Sequence, residues 1–310
     1  MGQGEWRLAL LSTVGTSILS NLEGSVKGED CMLYGKGNKP IRPVSRVLCD
    51  LLNPPNKPKP SRAPPDDPIQ FEFLKRATPG DPVFREVLEI VGSDPGRFSA
   101  ELNSMMAFFN SLPVRHSISE VEVYLYPTDT GTARFCANVV YELIRERGVG
   151  LLGIAKVTPY EPIVVKGFGA GPTFFSEGLV ELIDKYARLI VSKARQGFKV
   201  VVNATAGFKP ETTYTALIAL MSCAWRVIYM HESFREIVEL PMLPIGIRQD
   251  YLGVLGKVGN GAPRYVLKQQ GVDVDDLLER GLVEEVDGLI KPREWVRRLL
   301  EVVNECSKVS

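Results

Sequence analysis

Residues 6–17 read WRLALLSTVGTS. The part from Trp6 to Ser12 is a short, nearly unbroken apolar run, and it stops at Thr13-Val14-Gly15-Thr16-Ser17. A strand apolar on both faces must be covered on both faces, and a Gly/Ser/Thr turn leading into an amphipathic stretch reads as β-loop-α. The pattern recurs downstream. Residues 120–126 (EVEVYLY) form a β-branched and aromatic run, followed by Thr128-Asp129-Thr130-Gly131 and a helix-like stretch over 133–145. Residues 150–157 and 162–165 read as two further strands, 177–195 as a long amphipathic helix, 198–202 as a buried strand, 211–223 as a helix and 225–230 as another strand. Strands alternating with helices belong to an α/β fold, and the spacing predicts a Rossmann-like, mostly parallel sheet over residues 1–245.

Two stretches depart from this alternation. Residues 53–68 (NPPNKPKPSRAPPDDP) carry proline at nearly every second position. Proline fixes φ and removes a donor, so the segment reads as an exposed loop or semi-rigid spacer, with helices following over 81–90 and 97–109. Residues 246–310 change texture: short helices over 262–270 and 273–279, a hairpin over 282–290 with Asp287-Gly288 at its turn, and an amphipathic helix over 292–304. That order predicts a small winged-helix-like α+β domain. Its ten Lys/Arg against eleven Asp/Glu favour a packing role over DNA binding.

The whole chain of 310 residues has 37 basic and 37 acidic residues, a formal net charge of zero, and 45% hydrophobic residues. This excludes a disordered chain and one that holds long nucleic acid by phosphate electrostatics. The longest apolar stretch, 214–225, is too short to span a bilayer, and Glu5 and Arg7 precede the first strand where a signal peptide would be apolar, so a cytoplasmic location is expected. Five cysteines without a C-x-x-C pair, together with His116 and His231, predict no metal site, and the cysteines read as core residues. No cofactor is expected, because neither a G-K-[ST] loop nor a G-x-G-x-x-G follows a strand.

In an open parallel sheet, ligands bind beyond the carboxyl ends of the strands. Three loops leave such ends with small and polar residues. They are Thr13-Val14-Gly15-Thr16-Ser17 with Asn21 beyond it, Thr128-Asp129-Thr130, and Asn203-Ala204-Thr205-Ala206-Gly207-Phe208-Lys209. Hydroxyls and N–H groups at a helix start suit phosphate or ribose oxygens, and a lysine beside them adds a point charge. The same Ser, Thr and Asp residues, taken singly, read as helix N-caps. The glycine-rich stretch around Gly169 reads as a cover over a ligand or a flexible turn. The adjacent pair His231-Glu232 reads as structural, since neighbours on an extended segment point to opposite faces.

TVGTSILSN after the first strand, PTDT after a middle strand, and NATAGFKPE followed by YMHE and LPMLPI resemble the CRISPR-associated CARF-domain family, closest to its standalone ring nucleases. The resemblance covers about residues 6–245, with a small C-terminal domain expected. It implies a homodimer that binds a cyclic oligoadenylate, most often cyclic tetra-adenylate, and cleaves it without a metal to linear products ending in 2′,3′-cyclic phosphate. Lys209 is then assigned to the charge on the transition state and Ser17 to positioning ribose or phosphate. Thr13, Gly15, Thr16, Asn21, Thr128, Asp129, Thr130, Gly169, Asn203, Thr205, Ala206, Gly207 and Phe208 are assigned to the ligand. The family commonly has two glycines before Phe-Lys, where this chain has Ala206-Gly207. The competing expectation is a non-catalytic sensor of the same ligand that regulates transcription through its C-terminal domain.

Overall fold

The computed structural model describes residues 5–55, 57–113, 115–167, 175–207, 209–230, 236–243 and 245–309. It opens on β1 (Trp6–Val14), whose side chains alternate between two interiors: Leu8 and Leu10 join one buried cluster, Ala9 and Leu11 the other. This period-two division is what a strand covered on both faces requires. The helix α1 (Ser17–Ser25) leads to a small antiparallel sheet of β2 (Val26–Lys27), β3 (Met32–Tyr34) and β4 (Pro40–Pro43), and then to α2 (Arg46–Leu52). Three helices follow with one local logic. α3 (Pro68–Lys75), α4 (Pro82–Ser93) and α5 (Pro95–Phe98) each start at a proline preceded by an aspartate. Asp67, Asp81 and Asp94 accept hydrogen bonds from the N–H groups of Ile69, Val83 and Arg97, while the proline has no N–H to leave unpaired.

After α6 (Ala100–Ser111), the chain builds the rest of the main sheet: β5 (Ile118–Pro127), α7 (Gly131–Leu152), β6 (Val157–Pro159), α8 (Phe175–Leu182), a π-helical turn (Ile183–Ala187), α9 (Arg188–Arg195), β7 (Lys199–Asn203), α10 (Lys209–Met221), β8 (Arg226–Met230) and β9 (Ile237–Leu240). The six strands lie in the order β6-β5-β1-β7-β8-β9, all parallel except β9, which runs antiparallel to β8. Counted along the chain this is 3-2-1-4-5-6, the order of doubly wound nucleotide-binding sheets. The sheet therefore reverses direction of growth between β1 and β7, and their carboxyl ends flank the switch point.

The C-terminal part runs α11 (Gln249–Val258), β10 (Ala262–Pro263), α12 (Arg264–Gln269), α13 (Val274–Glu279), β11 (Val283–Val286), β12 (Leu289–Pro292) and α14 (Glu294–Cys306). The antiparallel sheet β10-β12-β11 closes through Asp287 and Gly288, both in the left-handed region at φ 55° and 72°, as a two-residue hairpin demands. Helix α14 turns back onto the main sheet. Its Val302 is buried with Ile190 and Val191 of α9, and Arg188 forms an ion pair with Glu301 at 2.7 Å. Among the described residues no helix is long and apolar enough to cross a membrane.

Several expectations need correction. Residues 150–152 are not a strand: α7 runs on to Leu152 and ends at Gly153, whose φ of 63° supplies the left-handed cap. The glycine at 148 does not break that helix. A Cβ there would lie 2.9 Å from Val157 Cγ1, so the residue allows β6 to approach. Residues 162–165 form no strand, only an isolated bridge between Val165 and Thr128. Four cysteines are paired, Cys31 with Cys49 and Cys223 with Cys306, leaving Cys136 as a free, buried thiol.

Candidate functional site

A cavity of about 600 Å³ opens at the switch point. It is lined by the loop after β1 (Gly15, Thr16, Ser17, with Ser20 and Asn21), the start of α7 (Thr128, Thr130, Thr132) and the loop after β7 (Thr205, Ala206, Gly207). The three loops selected from the sequence thus meet around one space. The helices α1 and α7 begin at its wall; in α7 the Thr132 N–H is taken by Gln70 Oε1 at 2.9 Å and the Ala133 N–H by Thr130 Oγ1 at 3.4 Å.

The loops are fixed to one another. The Thr13 hydroxyl donates to the Ala206 carbonyl. The Asn203 amide donates to Ser12 Oγ at 3.0 Å and Ser104 Oγ at 2.8 Å, and its oxygen accepts from Thr205 at 2.6 Å. Gly15 and Gly207 touch: a Cβ on Gly15 would lie 2.9 Å from the Gly207 nitrogen. Gly207 itself has φ 125°, a region open to glycine and strained for other residues. Ala206 is not among the positive-φ residues, so its methyl group costs no backbone strain beside Gly207. Gly15→Ala should therefore push the two switch-point loops apart, at a cost of about 1–3 kcal/mol by overpacking, with a loss of ligand affinity that exceeds the loss of stability. Calorimetric binding compared with thermal unfolding checks this; equal affinity in the variant would count against a ligand at the switch point.

The individual residues stand at different places relative to the cavity. Thr13 and Asn203 are fully buried beneath the loops and do not line the cavity; their polar groups are taken up by the tether itself. Asp129 is exposed, and its carboxylate accepts from the Gly167 N–H at 3.2 Å rather than lining the cavity. Thr128 and Thr130 do line it, their hydroxyls 3.2 Å apart. Lys209 opens α10 directly beyond the Ala206-Gly207 turn. Gly169, Phe208, His231 and Glu232 lie outside the described residues.

Other contributors had no sequence signal. The proline-rich segment is a wall of the cavity, not a spacer: Ser61, Arg62, Ala63, Pro64 and Pro65 line it. Three tethers hold this wall. Ser61 donates through its N–H and hydroxyl to Glu23 at 2.8 and 2.6 Å, Thr16 donates to the Ser61 carbonyl at 3.0 Å, and the Gln70 amide donates to the Ala63 carbonyl at 3.0 Å. Arg62 and Arg97 are also lining residues, and the Arg97 guanidinium donates to Ser25 Oγ at 3.1 Å, away from the cavity. Arg97 is anchored on the Tyr34 carbonyl at 2.6 Å, while Arg62 is exposed. Behind Ser17 lies Glu101, fully buried, accepting from the Gly15 N–H at 3.0 Å and the Ser17 hydroxyl at 2.6 Å. Its place in the first turn of α6 looks, in sequence, like an ordinary complement to the helix dipole.

A concave space lined by hydroxyls and glycine backbone, with the exposed Arg62 on its proline-rich wall, suits a ligand rich in phosphate and ribose oxygens. A family model described as CRISPR-associated protein (Cas_APE2256) matches residues 96–243. The matched part runs from α5 past β9 and contains Glu101, the β5–α7 loop and the β7–α10 loop; β1 and Ser17 precede it. The match makes this part of the chain similar to that CRISPR-associated family and covers just under half of the chain's length.

Proposed function

We propose that the chain is a ring nuclease that binds and cleaves cyclic oligoadenylate, with cyclic tetra-adenylate as its substrate, and so ends signalling in type III CRISPR defence. The observation that carries this reading is the meeting of the three loops at the switch-point cavity of a Rossmann-like sheet, one of them leading directly into Lys209 at the head of α10. The CRISPR-associated match over residues 96–243 supports it independently. A ring with two-fold symmetry fits a two-fold homodimer in which each subunit presents the same loops.

RNA carries its own nucleophile, so the chemistry asks little of the protein. The ribose 2′ oxygen forms a bond to phosphorus and the bond to the 5′ oxygen breaks; the 2′ proton leaves to solvent and the departing 5′ oxygen takes one up. The products are linear adenylates with 2′,3′-cyclic phosphate ends. The protein holds the three atoms in line and stabilises charge on the phosphorane-like transition state, the latter assigned to Lys209. Lys209→Ala is expected to bind cyclic tetra-adenylate within a few-fold of wild type and to cleave it about 100-fold or more slowly in EDTA. Full activity in that variant, or wild-type cleavage that requires a metal, would sink the mechanism.

The helix–strand–helix–helix–strand–strand order of residues 249–292 supports a winged-helix reading of the C-terminal part. Its second paired helix, α13, carries Asp275, Asp276 and Glu279, and Arg264 and Arg280 lie in ion pairs with Asp275 and Asp276. Such a face repels phosphate, so no DNA binding is expected in a mobility-shift titration at physiological salt. Salt-dependent DNA binding altered by cyclic tetra-adenylate would instead favour a transcriptional sensor.

A further inference from the structure

The hydrogen-bond directions around Ser17 are over-determined. Glu101 Oε1 accepts from the Gly15 N–H at 3.0 Å, and Oε2 accepts from the hydroxyls of Ser17 at 2.6 Å and Ser99 at 2.8 Å. Both hydroxyl oxygens also receive a backbone N–H: Ala100 donates to Ser17 Oγ at 3.1 Å and Leu102 to Ser99 Oγ at 3.2 Å. A hydroxyl has one hydrogen and two lone pairs. For Ser17 the hydrogen is committed to Glu101 and one lone pair to Ala100. What remains for the cavity that Ser17 lines is a single lone pair.

We infer that Glu101 fixes the direction of the Ser17 hydroxyl, so that Ser17 accepts a hydrogen bond from a ribose hydroxyl of the ligand and donates none to a phosphate. Turning the Ser17 hydrogen to a phosphate would break the shorter of the two hydroxyl bonds to a fully buried carboxylate oxygen and leave it Ser99 alone. The inference rests on the ring-nuclease reading. In a ring of 3′–5′ linked adenylates every 3′ and 5′ oxygen is esterified, so the sugar's one donor is the 2′-hydroxyl, the group that must attack. Ser17 then orients the nucleophile. Glu101 does not line the cavity; it is a positioning residue that acts through Ser17.

Glu101→Gln makes a sharp test because the amide has one way to fit. Its oxygen must face the Gly15 N–H, since the reverse sets two N–H donors against each other. Its nitrogen then donates to the Ser17 and Ser99 oxygens, and the Ser17 hydrogen swings into the cavity. Affinities for cyclic tetra-adenylate and for its 2′-fluoro counterpart, which keeps the size but lacks the donor, would be compared by calorimetry in a Lys209→Ala background that leaves the ring intact. With Ser17 and Glu101 native, the hydroxyl ring should bind about fivefold or more tighter than the fluoro ring. The ratio should fall close to one in Glu101→Gln and in Ser17→Ala, and Glu101→Gln alone should lose kcat with little change in KM. The Ser17 hydroxyl proton, observed by NMR in 13C-serine-labelled wild type, should exchange slowly with water, a readout that needs neither ligand nor a folded variant. A fast-exchanging proton, or an undiminished ratio in Glu101→Gln, overturns the inference. Failure of the wild type to bind either ring overturns the ring-nuclease reading instead.

Discussion

Replacing Gly131 with alanine should lower the apparent Tm by roughly 5–10 °C and abolish ligand binding, although Gly131 is the first residue of a long helix and alanine is the best helix former. The reason is the backbone of α3. A Cβ on Gly131 would lie 1.8 Å from the Gln70 carbonyl oxygen and 2.6 Å from its carbon. Backbone cannot rotate out of the way as a side chain can, so α3 must withdraw from α7. That motion breaks the bonds by which Gln70 Oε1 accepts from the Thr132 N–H at 2.9 Å and hydroxyl at 3.0 Å. It also drags the Gln70 amide away from the proline-rich wall of the cavity. Overpacking with loss of a buried hydrogen-bond network costs about 3 kcal/mol or more. The same helix provides the control. Gly150 is exposed, with nothing within 4 Å of an added Cβ, so Gly150→Ala should stabilise by about 0.5–1 kcal/mol. Thermal unfolding of the two variants should move in opposite directions; matching shifts would refute the packing argument.

Reduction of the Cys223–Cys306 disulfide should have a comparable effect. The bridge closes a loop of 83 residues, against 18 for Cys31–Cys49. In the chain-entropy model these loops correspond to roughly 4.5 and 3 kcal/mol of stabilisation. The longer one joins the turn after α10 to the end of α14, so its loss should also release α14 from the α9 face. Urea unfolding of Cys306→Ser against wild type should show a midpoint well below that of Cys49→Ser, and hydrogen exchange should rise first along α14. If α14 kept its protection, the ion pairs of Arg188 and Arg195 with Glu301 and Glu305 would be holding it without the bridge.

What could be read from the sequence was what local physics writes there. The apolar run of β1, the Asp-Pro helix starts and the Asp287-Gly288 turn each carry their signal within a few residues, and the alternation of strands and helices was enough to place three loops at the strand ends. What escaped depends on partners far away in the chain. Gly150 read as the start of a strand and the helix as ending at 145, but α7 runs on to Leu152, and Val157 packs against it at Gly148. The proline segment read as a spacer because proline bars regular structure; its tethers, Glu23, Thr16 and Gln70, leave no mark on its composition. Glu101 was hidden because burial of a carboxylate is a property of the fold around it. The cysteine pairs were hidden because no spacing rule joins residues 223 and 306.

The central position of β1 also orders events in time during synthesis. Its two neighbours arrive far apart: Leu8 pairs with Val121 on one side and with Lys199 on the other. At about 5–20 residues per second, a ribosome takes roughly 10–40 s to reach that second partner. Until then β1 has one open edge, and the apolar run Leu8–Leu11 is a place where the nascent chain can pair wrongly or attract a chaperone. The layer of β5, α1, α6 and α7 can close first, with Ser17 already seated on Glu101. The β7 loop comes last, so the ligand cavity is completed only in the final third of translation.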